Sequence, residues 1–126
     1  MLYDEKSELD KHFDANWILT PIKYDGIDFD KPDSIDSWIS VQLIPSTRID
    51  DTFGKGAVKE DGVVRVFSYA RSATMAYKLA SEVCKFLDYE TISNIIFTVG
   101  EGDGQGALNL DGFYEVSTVF PVFTIK

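Results

Sequence analysis

Few residues in this 126-residue chain could do covalent or acid–base chemistry. There is one histidine, His12, and one cysteine, Cys84. Nucleophilic catalysis needs a nucleophile, a base that takes its proton, and a third group that orients the base. His12 falls on the apolar stripe of a short helical pattern. Cys84 lies beside Val83 and near Phe86 in a stronger one, where an apolar setting keeps a thiol inert. Nothing in the spacing joins these two residues, and the chain offers no Cys/His set with zinc spacing. Carboxylates are plentiful, 21 Asp+Glu against 12 Lys+Arg, so adjacency alone means little. The pair Asp50-Asp51 lies in a polar arm where solvent accounts for it. The sequence assigns no catalytic, cofactor-binding or metal residue, and the expectation is a protein that is not an enzyme.

The glycine-rich stretch 100–112 is the strongest test of that expectation. Gly102-x-Gly104-x-x-Ala107 follows a predicted strand and loosely matches a dinucleotide fingerprint. No amphipathic helix follows it, and acids stand where a pyrophosphate would go, so the fingerprint is rejected. A calcium loop is the other chemical reading. Glu101, Asp103, Gln105 and Asn109 alternate, with Gly106 at the sharp turn. Gly112 stands where the closing bidentate acid should be, and flanking helices are absent. The simpler reading is a turn-rich connection between two strands. Phe53 is the one aromatic in a polar, glycine-rich arm, between Thr52 and Gly54. Such a side chain serves as a contact anchor or as a tether to a satellite cluster.

The elements that would position these residues follow from hydrophobic spacing. Asp4–Asn16 reads as a helix with Leu9, His12, Phe13 and the flanking Trp17 on one narrow stripe. Trp17–Ile22 reads as a strand, confined to an edge or a bulge by Pro21. Residues 24–37 read as an acidic loop tethered by Ile27, Phe29 and Ile35. Trp38–Pro45 alternates cleanly, with Ile39, Val41 and Leu43 on one side and Ser40 and Gln42 on the other. Residues 46–61 form a long arm or extended hairpin, with Asp61-Gly62 as a turn signal. Gly62–Ala70 is a strand. Ser72–Tyr89 is the strongest helix, with Ala76, Leu79, Ala80, Val83, Phe86 and Leu87 recurring at helical spacing and Ser72 as its N-cap. Thr91–Val99 and Phe113–Ile125 are strands, the last expected to bulge or lie at an edge near Pro121. The order α-β-β-β-α-β-β predicts a single α+β domain over 1–126. It has two layers: a mixed or antiparallel sheet of about five strands with the long helix packed on it.

Length fits one domain with its own core. One cysteine rules out a disulfide framework. No apolar run reaches the roughly 18 residues of a membrane-spanning helix. The acidic N-terminus lacks the apolar stretch of a signal peptide, so the expected compartment is a cell interior or an assembly built there. Net charge is -9, distributed as -6 over 1–36, zero over 37–99 and -3 over 100–126. Tight nucleic-acid binding needs clustered Lys and Arg, which are missing. The acids make either a solvated face or a surface that DNA passes without sticking.

In its order of segments the chain resembles the tail terminator (tail completion) family of long-tailed bacteriophages and the related small head–tail joining proteins. The resemblance runs from about residue 5 to 126. It rests on the short first helix, Trp17-Ile18-Leu19-Thr20-Pro21-Ile22, the Asp-rich loop, Trp38–Ile44, the arm, Gly62–Phe67, the helix Ala73–Asp88 and the terminal Val119-Phe120-Pro121-Val122-Phe123. It implies a structural virion protein at the head-proximal end of the tail, assembled in the host cytoplasm. Such proteins cap the tail tube as a ring, commonly a hexamer, end its polymerisation and meet the head–tail connector. The implied partners are other copies of itself, the tail tube protein and the connector, with DNA passing through and no membrane. The resemblance supplies no catalytic residues and no cofactor. On this reading Arg48, Asp50, Phe53 and Lys55 contact a neighbouring subunit or the tube, and Glu101, Asp103 and Asp111 line the lumen or ring edge. The alternatives are another neck component and a small acidic module that mimics DNA.

Overall fold

The computed structural model of the chain describes residues 3–24, 35–50, 58–102, 107–108 and 112–125. Its elements run α1 (Tyr3–Asn16), β1 (Ile22–Tyr24), β2 (Ser37–Asp50), β3 (Val58–Ala70), α2 (Ala73–Leu87), β4 (Thr91–Ile92), β5 (Ile95–Phe97), β6 (Glu101–Gly102), β7 (Ala107–Leu108) and β8 (Tyr114–Ile125). This is the α+β arrangement expected, with more strands. The sheet holds eight, in the order β1-β2-β3-β8-β5-β4, with β6 and β7 also paired to β8. Among the described residues only the β1–β2 pairing is parallel.

Alternation decides which face carries the helices. Ile39 and Val41 of β2, Val64 and Val66 of β3, and Phe120 and Val122 of β8 point to one side, because side chains alternate along a strand. Onto them pack Leu9 and Phe13 of α1, Trp17 just beyond it, and Leu79, Val83 and Leu87 of α2. In a second cluster Ala76 and Ala80 of α2 meet Ala70 of β3 and Val116 of β8, the alanines permitting a close approach. Ser72 caps α2 as expected, its Oγ accepting from the Met75 N–H at 3.2 Å. The helix ends at Leu87: the N–H of the cap residue Asp88 donates back to the Cys84 carbonyl, and Tyr89 beyond it takes φ 61.

Several elements depart from the sequence reading. The strand expected over Trp17–Ile22 begins only at Ile22. The Trp17 N–H donates to the Phe13 carbonyl at 2.8 Å, extending the turn of α1. The indole Nε1 then donates to Thr20 Oγ1 at 3.0 Å, closing a bend. Of the three proposed loop tethers, Ile35 is buried, while Ile27 and Phe29 lie outside the described residues. Asp61-Gly62 is no turn. It lies inside β3, opposite Thr47 and Pro45, where the β2–β3 register slips by one residue. Pro45 has no N–H for the ladder, so β2 bulges there. The described parts of the 46–61 arm are outer rungs of a long hairpin that reaches Asp50↔Val58.

The apolar run 91–99 folds on itself. Ser93, at φ 55, and Asn94 turn β4 back onto β5. From there β5, β6 and β7 lie in succession along one edge of β8. Pro121 does not break β8. Its carbonyl accepts from the Thr98 N–H and Oγ1 at 3.1 and 2.8 Å, so its missing N–H faces the junction of β5 and β6, and the Val63↔Pro121 rung of the β3 ladder is kept. Gly100 opens this run. Its N–H donates to Asp88 Oδ1 at 2.8 Å, and a Cβ there would clash with the Phe120 ring.

Two predictions follow from this packing. Gly100→Ala destabilises by about 1–3 kcal/mol because the buried Phe120 ring must move, whereas Gly102→Ala, with open space around it, changes stability by under about 0.5 kcal/mol. Urea midpoints of the two variants check this. Ser68 is fully buried, and its Oγ has no hydrogen-bond partner among the described residues. Ser68→Ala therefore leaves stability unchanged or raises it by about 1 kcal/mol; a lower melting midpoint would contradict that.

Candidate functional site

Helix α2 buries one stripe and leaves two flanks open. At 100° per residue, Ala76, Leu79, Ala80, Val83 and Leu87 face the core, Ala80 at the edge of the stripe. Tyr77, Ala80, Ser81 and Cys84 follow one another up one side, at i, i+3, i+4 and i+7. Glu82, Lys85 and Phe86 lie on the other.

The Phe86 flank meets the end of α1 and the bend after it. Asn16, Trp17, Ile18, Leu19, Glu82, Lys85 and Phe86 enclose a groove of about 220 Å³. Its floor is an aromatic knot. The Phe86 ring centre is 5.0 Å from Phe13, 5.3 Å from Trp17 and 5.2 Å from His12. His12 is thus a packing residue, with its ring Nδ1 3.4 Å from Asn16 Nδ2. Lys85 pairs with Glu82 at 3.3 Å on the rim. Because the bend replaces a strand, Ile18 is 88% exposed and Leu19 57% exposed.

The opposite flank meets β6 and β8. Tyr77, Ala80, Ser81, Cys84, Gly102, Val116 and Thr118 enclose about 270 Å³, and none of these seven is charged. Cys84 is half-buried there. Burial, and secondarily the Asp88 charge, raise its pKa, so the thiol stays protonated at neutral pH and is a poor nucleophile.

The face of the sheet away from the helices carries an aromatic ladder. Trp38 and Tyr69, a register pair, stack at 3.9 Å with 14° between planes. Phe113 meets Trp38 edge-on at 6.5 Å, and the Arg71 guanidinium lies 4.1 Å above the Phe113 ring. The Tyr69 hydroxyl is pushed above its ordinary pKa by burial first and by Glu115 second. Tyr24, which donates to Asp14 at 2.5 Å, is raised by burial and by that carboxylate.

The residues singled out from sequence are scattered. Arg48 and Asp50 stand on β2 opposite Glu60 and Val58, near the hairpin end. Glu101 is exposed on β6, opposite Val119. Phe53, Lys55, Asp103 and Asp111 lie outside the described residues. In α1 the acids are locally engaged: Glu5 is buried, Asp10 pairs with Lys6 at 2.7 Å, and Glu8 pairs with Lys11 at 3.7 Å. Among the described residues no three His, Cys, Asp or Glu side chains gather as a metal site. No helix is long and apolar enough to cross a membrane. Sequence reasoning missed Ile18 and Leu19, which it placed in a strand. The signal was Thr20-Pro21 directly after them. It also missed the Tyr77–Cys84 stripe, visible as i, i+3, i+4, i+7 spacing beside the buried one.

No family model matches the chain, and no curated protein matches it. Solved structures do. A chain whose description names no function superposes with a TM-score of 0.67 at 14% identity, over 100% of this chain and 97% of that one. A chain of the virion of a native gene transfer agent (GTA) particle superposes with a TM-score of 0.62 at 15% identity, over 96% of this chain and 94% of that one. The shared property is the whole fold, from one end to the other. The protein is therefore an α+β domain of a fold that a virion particle also uses.

The two raised tyrosines give a pH dependence. Their folded pKa values lie above the ordinary 10.0, so the fold keeps phenolic protons that the unfolded chain loses. The stability tied to them is complete below about pH 10 and falls as pH rises beyond it. Urea midpoints between about pH 8 and pH 11 should drop with a slope that Tyr69→Phe reduces.

Proposed function

We propose that this protein is a structural component of a tailed phage or phage-like virion. It forms a ring on the head-proximal end of the tail tube, stops tube growth and presents the surface that the head connector meets. The observation that carries this reading is the end-to-end fold likeness to a chain of the gene transfer agent virion. The segment order of the terminator family agrees with it. In the ring, Arg48, Asp50, Phe53 and Lys55 contact a neighbour or the tube, and Glu101, Asp103 and Asp111 face the lumen or the ring edge. A negative lumen repels phosphates and lets DNA slide. Repetition of one contact between unlike patches closes such a ring.

Depletion of the protein in producing cells tests the reading by electron microscopy. Overlong tail tubes are expected. Tails of normal length that fail to join heads would instead make it a neck component, and normal infectious particles would remove the virion role. In vitro, Phe53→Ala combined with Lys55→Ala should weaken binding to polymerised tube protein at least about tenfold. Unchanged binding would take the arm out of the interface.

A further inference from the structure

The exposed pair Ile18 and Leu19 and the uncharged groove at Tyr77–Cys84 lie on opposite flanks of the same helix. We propose that they are the two halves of one contact: Ile18 and Leu19 of one copy insert into the groove between α2 and β8 of the next. The inference deepens the ring reading above and rests on it, naming the surfaces through which copies join.

Three observations carry it. The first is the knob. Ile18 is 88% exposed and Leu19 57% exposed, adjacent in sequence on a bend held by the Trp17–Thr20 hydrogen bond. Two neighbouring aliphatic side chains in water, on a locally fixed backbone, can be buried by a partner with little ordering cost. The second is the match of chemistry. The far groove, about 270 Å³, is lined among the described residues by Tyr77, Ala80, Ser81, Cys84, Gly102, Val116 and Thr118, none of them charged. The near groove is smaller, about 220 Å³, already contains Ile18 and Leu19 in its wall, and is rimmed by the Glu82–Lys85 ion pair. An aliphatic insertion there would strip water from both charges. The knob therefore fits a neighbour's far groove better than a neighbour's near groove. The third is direction. Knob and groove occupy different patches, so each copy offers one of each, and the contact is head-to-tail. A symmetric dimer would use the same patch twice. Tyr77, half-exposed at the groove rim, supplies the amphipathic aromatic that such contacts favour.

The native Cys84 makes the contact directly testable, because it lines the groove and is the only cysteine. Leu19→Cys places a second thiol on the knob. Oxidation of this variant at high protein concentration and alkaline pH, which ionises enough of the Cys84 thiol to react, should give a ladder of covalent oligomers beyond the dimer. The ladder should vanish in Leu19→Cys combined with Cys84→Ser. In parallel, Leu19→Asp, and Ser81→Trp filling the groove, should each raise the concentration needed for self-association by at least about tenfold. Ile18, Leu19 and Ser81 are exposed, so unchanged circular dichroism and melting of these variants separate lost association from lost folding. A dimer that persists without Cys84 would show a symmetric knob-to-knob contact and overturn the proposal. Oligomers by light scattering without a 19–84 cross-link would overturn the surface assignment and leave the ring reading intact. A monomer with no cross-link at any concentration would also overturn it, and the tail lengths of depleted cells would then decide the ring reading separately.

Discussion

Strand β3 is paired along nearly its whole length on both sides, with β2 from Ser37↔Ala70 to Asp50↔Val58 and with β8 from Lys59↔Ile125 to Ala70↔Tyr114. The rest of the molecule depends on this double ladder. It fixes register, and register fixes which residues face the helices, since a slip of one residue would turn every side chain to the other face. Val64 and Val66 then sit between Val41 and Phe120 and their neighbours, giving the apolar floor on which α1 and α2 rest. The ladder also tolerates two residues that argue against a central strand. Gly62 is held between two partners, and Pro121 turns its missing donor away from β3.

The helices divide the work of covering that floor. Helix α2 contributes a stripe of five buried residues and is drawn in by alanines. Helix α1 is fastened to it mainly through rings, with Phe86 at the centre of Phe13, Trp17 and His12. Because the chain must leave α1 through the Trp17–Thr20 bend before it can join β2 in parallel, two apolar residues are left outside. Helix α2 borders the open groove on its other side. The exposed pair and the groove are by-products of how two helices share one sheet face.

Charge plays a different part. The net charge of -9 favours solubility and repels phosphates, but it is partly used up locally. In α1, Lys6 and Lys11 hold acids one turn away, and Tyr24 ties Asp14 to β1. Exposed pairs of this kind add little stability. Their effect is to break up what sequence presents as a continuous acidic run. The acids Glu8, Asp10 and Asp14 are thus engaged within the domain.

What the sequence determined by itself was whatever depends on periodicity along one segment. Both helices, the Ser72 cap and the three long strands were legible, because spacings of 3.6 and 2 residues are local properties of the chain. The α+β class followed from their order. Arg48, Asp50 and Glu101 could be picked out by type, and the fold sets Arg48 and Asp50 together near the end of the β2–β3 hairpin, with Glu101 apart from them on β6. Tertiary structure decided what depends on partners distant in sequence. It turned Asp61-Gly62 from a turn into a strand, because β2 and β8 flank it. It split one predicted strand into the β4–β5 hairpin and set Glu101–Gly102 and Ala107–Leu108 of the glycine-rich stretch along β8. It also exposed Ile18 and Leu19, whose local pattern reads as a strand. A hydrogen bond or an apolar contact across the fold outweighs a preference of a fraction of a kcal/mol per residue, and only the folded chain shows which contacts are made.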